Sequence, residues 1–420
     1  MKPEFLISSE KISTVSYGEE KPAVSGSNEE QELKRVMDRY NKAKSRWMSW
    51  SDLWEEIYDY VLPHRESFYQ ESQASRRTEN IYDETAVVGL PKFASRLQLG
   101  FFPPNGRAFR LQPGPEFPKE MMGSGLQEEL DKITDLLHEG LRNSNFNAEM
   151  HEGLQDLGIG TMNLLCEEGR FQGDLHFSSV PPTNLALLPG RMDGVSDWFR
   201  WNDYMDITGV KHRYPKAKYT EKMASEQKRN PKRKTKIVEA TVYDEQDKFK
   251  DEYTYYLISE TDNCILIKER LKGRSSQPWI TTRWSKSGFE VWGRGPVLQA
   301  MPAIKTLNLT VQLILENAEM AIAGSYVYDD DGVFNPDNIT IQPGTFIPRS
   351  PGSSIESLQS AGRFDVAQLV IDDMRRNVRK ALFIDELDTR PNARTPLSAT
   401  EVSERLADVA RDMGAVAGRM

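Results

Sequence analysis

Apolar residues recur every three or four positions from Glu29 onward: Leu33, Val36, Tyr40, Ala43, Trp47, Trp50, Trp54, Ile57 and Val61. This period predicts one long amphipathic helix, which Pro63 stops. Three tryptophans on a single stripe predict a large buried contact. The same spacing predicts helices from about Asp83 to Leu99, ended by Gly100, from about Leu126 to Ser144, and from about Ala148 to Gly158. The pattern then changes. Thr161–Glu167, Asp174–Val180, Val238–Tyr243, Tyr253–Ile258, Cys264–Leu271 and Trp279–Trp284 are short and rich in β-branched or aromatic residues. Several alternate, as Val238, Ala240 and Val242 do, and they predict strands. Residues 29–294 therefore read as a mixed α+β unit, preceded by a flexible arm, residues 1–28, rich in Ser, Glu and Gly.

Beyond Gly293-Arg294-Gly295-Pro296 the helical period returns, from about Val297 to Ala323. Such a helix is about 38 Å long, and Pro296 or Pro302 suits its first turns. Leu298, Ile304, Leu307, Val311, Ile314, Leu315 and Ala318 cover much of its surface, which predicts neighbours on more than one side. A β-rich insert, residues 324–361, follows. Asp329-Asp330-Asp331-Gly332, Asn335-Pro336, Pro343-Gly344 and Pro351-Gly352 are turn signals between its short apolar runs. Residues 362–384 predict a second helix. Residues 385–397 cannot continue it, because Pro391 and Pro396 remove donors and restrict the residues before them. Ser398-Ala399-Thr400-Glu401 has the capping-box spacing and starts a last helix, still helical in character at Met420.

Composition narrows the function. The 420 residues exceed one small core and predict two or more domains. The net charge is −9, whereas general nucleic-acid binders are basic. Against that background Lys211 to Lys236 stands out, with eleven Lys or Arg in 26 residues. Pro231 and Asn230 make its second half loop-like, and it reads as a solvated loop or as a contact for nucleic acid or an acidic partner. Cys166 and Cys264 lie in apolar stretches and read as buried free thiols of a reducing compartment. The first residues contain no apolar signal region. The apolar stretch 297–323 is broken by Pro302, Lys305, Glu316 and Glu319, so no membrane span is expected.

Enzyme signatures are missing. There is no phosphate-binding G-x-x-x-x-G-K-[ST] loop, no H-E-x-x-H and no G-x-S-x-G. The five histidines show no metal-ligand spacing, and His138-Glu139 reads as the surface of a helix. An EF-hand whose glycine was Gly332 would begin at Val327, which cannot ligate, so Asp329–Asp331 read as a β-turn. No metal and no cofactor are expected.

Several segments, in order, resemble the head-to-tail connector (portal) family of short-tailed double-stranded DNA bacteriophages. They are Tyr82-Asp83-Glu84-Thr85 leading to Gly100-Phe101-Phe102-Pro103-Pro104 and Phe109-Arg110-Leu111; Ser144-Asn145-Phe146 with Leu157-Gly158-Ile159-Gly160-Thr161; Arg283-Trp284, Trp292-Gly293-Arg294-Gly295-Pro296 and Leu307-Asn308; and Ala399-Thr400-Glu401-Val402 with Arg405. The resemblance implies a homo-oligomeric ring, commonly of twelve subunits, at one capsid vertex of the virion, assembled in the host cytoplasm. It implies a conduit for double-stranded DNA that docks the terminase large subunit, then a tail adaptor, and meets capsid and scaffolding proteins. It implies a wing (29–294), a stem helix (295–323), a clip (324–361), a second stem helix (362–384), a tunnel loop (385–397) and a helix leading to a crown (398–420), the crown itself missing. On this assignment Arg390, Asn392 and Arg394 face DNA in the channel. Arg375, Arg376, Arg379 and Lys380 share one face of the second stem helix and line the channel wall or form intersubunit salt bridges. In the clip, Asp329, Asp330, Asp331, Asn335, Pro336 and Arg349 are the partner-docking candidates. A different phage neck or tail adaptor is the alternative, although adaptors are usually shorter and helical. A nuclease would need acidic metal ligands at motif spacing, which are not found.

Overall fold

The computed structural model describes residues 26–65, 77–102, 107–114, 124–169, 174–190, 194–244, 252–273, 276–288, 290–323, 326–329, 346–349, 356–357 and 364–384. Helix and sheet are mixed, as the sequence pattern leads one to expect. The first helix, α1 (Gly26–Val61), is the predicted amphipathic one. It is long enough to serve two cores. Val36, Tyr40 and Ala43 in its first half are buried with Ala186, Phe199, Trp201, Val238, Ala240 and Val242. Trp54, Ile57, Tyr58 and Val61 in its second half enter a larger core. Trp47 lies between them, edge-on to Trp201 with ring centres 5.1 Å apart and donating its indole N–H to the Pro182 carbonyl at 2.5 Å.

Three helices, α2 (Thr85–Phe101), α3 (Ser124–Asn143) and α4 (Phe146–Ile159), precede the sheets. β1 (Thr161–Glu168) is the centre of a three-stranded antiparallel sheet, flanked by β2 (Leu175–Ser179) and β8 (Trp279–Arg283). The second sheet is an antiparallel meander of β3 (Leu185–Pro189), β4 (Val195–Asp206), β5 (Lys234–Tyr243), β6 (Tyr253–Ser259) and β7 (Cys264–Leu271), in chain order. Strand alternation sets its faces: Val238, Ala240 and Val242 face α1, whereas Ile237 joins a third core on the other side.

Two expectations need correction here. The basic stretch is more ordered than a loop. It holds α5 (Ile207–Arg213) and α6 (Glu221–Arg229), joined by an irregular segment, residues 214–220, and followed by a turn at Asn230–Arg233 before β5 begins at Lys234. Nor is His138 on the surface. It is buried, its Nε2 accepts from the Ala108 N–H at 2.9 Å, and its ring stacks on Phe109. Residues 107–111 run along α3 and cover it. The two cysteines are free and half-buried, and burial pushes both thiol pKa values up.

The chain then enters α7 (Pro296–Ala323), three short strands and α8 (Phe364–Ala381). β10 (Phe346–Arg349) lies parallel to β9 (Tyr326–Asp329), and β11 (Glu356–Ser357) lies antiparallel to it on the other edge. Helices α7 and α8 pack on each other, and α8 also rests on α2.

Candidate functional site: the junction of the long helices with the mixed unit

The segments that resemble connectors meet in space. Gly158 and Gly160, at the end of α4, cross Gly293 and Gly295, just before α7. A Cβ on Gly160 would strike the Gly293 carbonyl, and one on Gly295 would strike the Gly158 carbonyl. Only bare backbones approach so closely. The crossing is fastened by Gly295 N–H to Ile159 O at 2.8 Å, Trp284 N–H to Gly160 O at 3.0 Å, and Gly293 N–H to Thr161 Oγ1 at 2.8 Å. The root of α7 is therefore held against the end of α4 and the start of β1.

A second fastening lies further along α7. The buried Asn308 amide accepts from the Tyr82 and Asp83 N–H groups at 2.7 and 3.3 Å and donates to the Asn80 carbonyl at 2.9 Å. Asp83 in turn accepts from Thr85 N–H at 2.9 Å and from Arg375 Nε on α8 at 2.8 Å. Its carboxylate is 3% exposed. Burial alone would raise its pKa. The hydrogen bonds of Thr85 and the Arg375 guanidinium outweigh burial and hold it below the usual carboxylate range. The residues before α2 are thus tied to α7 by a neutral amide and to α8 by an ion pair.

The end of α8 is anchored as well. Phe383 adopts φ 55°, and Ile384 N–H bonds back to Arg379 O at 2.9 Å, the six-to-one bond of a helix stop. Arg96 on α2 donates to the Ile384 carbonyl. The buried side chains of Leu382 and Ile384 sit over Gly89 of α2, where a Cβ would collide with both.

Among the four cations expected on α8, Arg375 pairs with Asp83 inside the chain, a partner the sequence pattern does not reveal. Arg376 is exposed, 3.9 Å from Asp373, and Arg379 and Lys380 are exposed. Asp329 and Arg349 stand opposite each other at the ends of β9 and β10. Asp330, Asp331, Asn335 and Pro336 lie outside the described residues, as do Arg390, Asn392 and Arg394. Sequence reasoning missed the Asp83–Asn308–Arg375 cluster. Both Asp83 and Asn308 stood in the resembling segments, but nothing local shows that they touch.

Along α7 the covering changes with height. Val297, Ala300, Met301, Ile304 and Leu307 are buried, whereas Leu309, Leu313, Leu315 and Ile322 are exposed, as are Leu369 and Val370 on α8. Leu315 lies on the same helical face as Met301 and Ile304, but about 12 Å beyond Leu307, where Val311 and Ile314 are only partly buried against the larger core. The expectation that Leu315 is buried does not hold within one subunit; it is 52% exposed. Leu309 and Leu313 lie on the opposite face of α7.

Among the described residues no cluster of His, Cys, Asp or Glu could hold a metal ion, and no helix is long and apolar enough to cross a membrane. Residues 33–420 match the model of the bacteriophage head to tail connecting protein family. The chain belongs to that family, and its role is the structural one of a phage head-to-tail connector. A curated relative, named as a probable portal protein of Bordetella phage BPP-1, is 22% identical over 93% of this chain and 72% of its own length. Among solved structures, a chain from the virion of a native gene transfer agent particle matches 79% of this chain and 75% of its own, at 11% identity and a TM-score of 0.35.

Proposed function

We propose that the chain is a portal subunit: it closes into a ring, commonly of twelve copies, at one vertex of the capsid and forms the passage for double-stranded DNA. The observation that carries this reading is α7. It is fastened at its root and then exposes large apolar side chains on two opposite faces, Leu309 and Leu313 on one and Leu315 and Ile322 on the other. One neighbour would cover one face. Copies on both sides, related by a fixed rotation that closes, cover both. In this reading residues 29–294 are the wing, α7 and α8 the stem, residues 324–361 the clip and 385–397 the tunnel loop. The clip, with Asp329–Asp331, Asn335, Pro336 and Arg349, meets the terminase large subunit and later the tail adaptor. Arg390, Asn392 and Arg394 face the DNA, with Arg376, Arg379 and Lys380 on the channel wall or between subunits. Capsid and scaffolding proteins meet the outside of the ring in the virion, after assembly in the host cytoplasm. The work is structural; no catalytic step is assigned.

Leu315→Asp tests the reading, because Leu315 is exposed in the subunit and the substitution leaves its fold intact. Sedimentation of the wild type should give a closed oligomer, and the variant folded subunits or fragments of the ring. A variant that still forms the wild-type oligomer would contradict the assignment of α7 to the ring contact.

A further inference from the structure

The strongest charge segregation in the chain lies away from the long helices. Between Lys211 and Lys236 eleven cations face two acids, Glu221 and Glu226, giving +9. The whole chain carries −9, so the remainder carries −18. These cations sit on a folded lobe. Ile207, Val210 and Met223 bury a small core against Ile237, Leu257 and Leu266 of the meander. Thr220 caps α6, the Tyr219 hydroxyl donates to the Ile207 carbonyl at 2.5 Å, and Lys218 N–H bonds to Leu266 O at 2.9 Å. Arg233 is consumed as a brace, paired with Glu226 and with the buried Asp262. Lys216 pairs with Glu269. Lys222, Lys228, Arg229 and Lys232 are exposed and form no ion pair among the described residues.

We propose that this lobe is a contact surface for the phosphate backbone of duplex nucleic acid, separate from any residue assigned to the channel. Two observations favour nucleic acid over an acidic protein. Protein interfaces bury an apolar centre and are depleted in lysine. Here no large apolar side chain is exposed among the described residues between 176 and 279, and eight of the eleven cations are lysines. Lysines present point charges on flexible stems, which suit phosphates of any sequence. The backbone that carries the cations is already folded, so binding them orders less chain than a loose basic tail would.

The proposal needs no ring and stands on the lobe alone. The full chain is titrated with a short fluorescent DNA duplex between about 50 and 200 mM salt. The variant is Lys222→Gln, Lys228→Gln, Arg229→Gln and Lys232→Gln combined, checked for native circular dichroism. Lys34→Gln with Lys42→Gln, exposed on α1, is the control. We expect the lobe variant to bind about tenfold or more weakly at the lowest salt, and its log–log salt slope to shrink by about 0.9 for each phosphate that is no longer neutralised. The control should bind as the wild type does. A lobe variant that binds duplex with wild-type affinity and slope overturns the proposal. Competition by poly-glutamate of matched charge, as strong as by duplex, also overturns it and marks the lobe as a surface for an acidic protein segment. Repeating the titration on the Leu315→Asp subunit separates this surface from the ring: lobe-dependent binding there survives even if the portal reading fails.

Discussion

Replacing Arg375 by Ala should loosen the joint between α8 and the residues before α2. The carboxylate of Asp83 is 3% exposed and keeps only Thr85 and its surroundings once the guanidinium is gone. Breaking a buried pair by removing one partner costs about 3–5 kcal/mol, because the remaining charge stays buried. Arg375 itself is 39% exposed, so solvent screens part of the pair, and about 2–4 kcal/mol is the fair expectation. Global unfolding is a poor probe of a chain with several cores. Local hydrogen exchange is better suited, and amides at the start of α2 and along α8 should exchange about 30- to 800-fold faster. Asp83→Asn in the Arg375→Ala background should recover part of that protection, since a neutral amide is cheaper to bury. The pH dependence has a definite sign. Asp83 has a depressed pKa when folded, so the joint is fully stabilised above the ordinary carboxylate value of about 4 and loses that stability as pH falls through the lower folded value. Unchanged protection in Arg375→Ala, or protection that rises on acidification, would refute the ion pair as a fastening.

Asn308→Leu removes an acceptor for two N–H groups and should cost about 1–3 kcal/mol, read as faster exchange at Tyr82 and Asp83. Gly295→Ala places a methyl against the Gly158 carbonyl and should sharply lower soluble yield and melting temperature; a normal melting curve would show that the crossing can open. Replacing Arg390, Asn392 and Arg394 together by Ser should leave assembly unchanged and reduce retention of the packaged genome, measured as DNA length per particle.

Periodicity located the long elements because burial on one face repeats along them. The spacing from Leu33 to Val61 anticipated α1 to within a few residues, and the alternation at Val238, Ala240 and Val242 anticipated the face of β5 that packs on α1. β3 and β4 were missed. Leu185–Pro189 is short and bounded by prolines, and β4 carries an irregularity between Asn202 and Met205 that breaks its alternation. α5 and α6 were missed because each buries only a residue or two and depends on the sheet beneath, so their cations dominate the local pattern. His138 was misread for a related reason: its cover arrives from residues 107–111, and nothing on α3 announces it. The Asp83–Asn308–Arg375 junction joins positions more than 200 residues apart, which no local period encodes. Leu315 shows the limit of a helical wheel, which gives the face but not the height at which the covering unit ends.

Electron microscopy of the purified wild-type chain shows by direct imaging whether the subunits close into a ring. Rings with a central hole are expected, α7 and α8 of each copy lining it and residues 385–397 nearest the axis. Single globular particles, or rings with residues 385–397 on the outer rim, would contradict the portal reading.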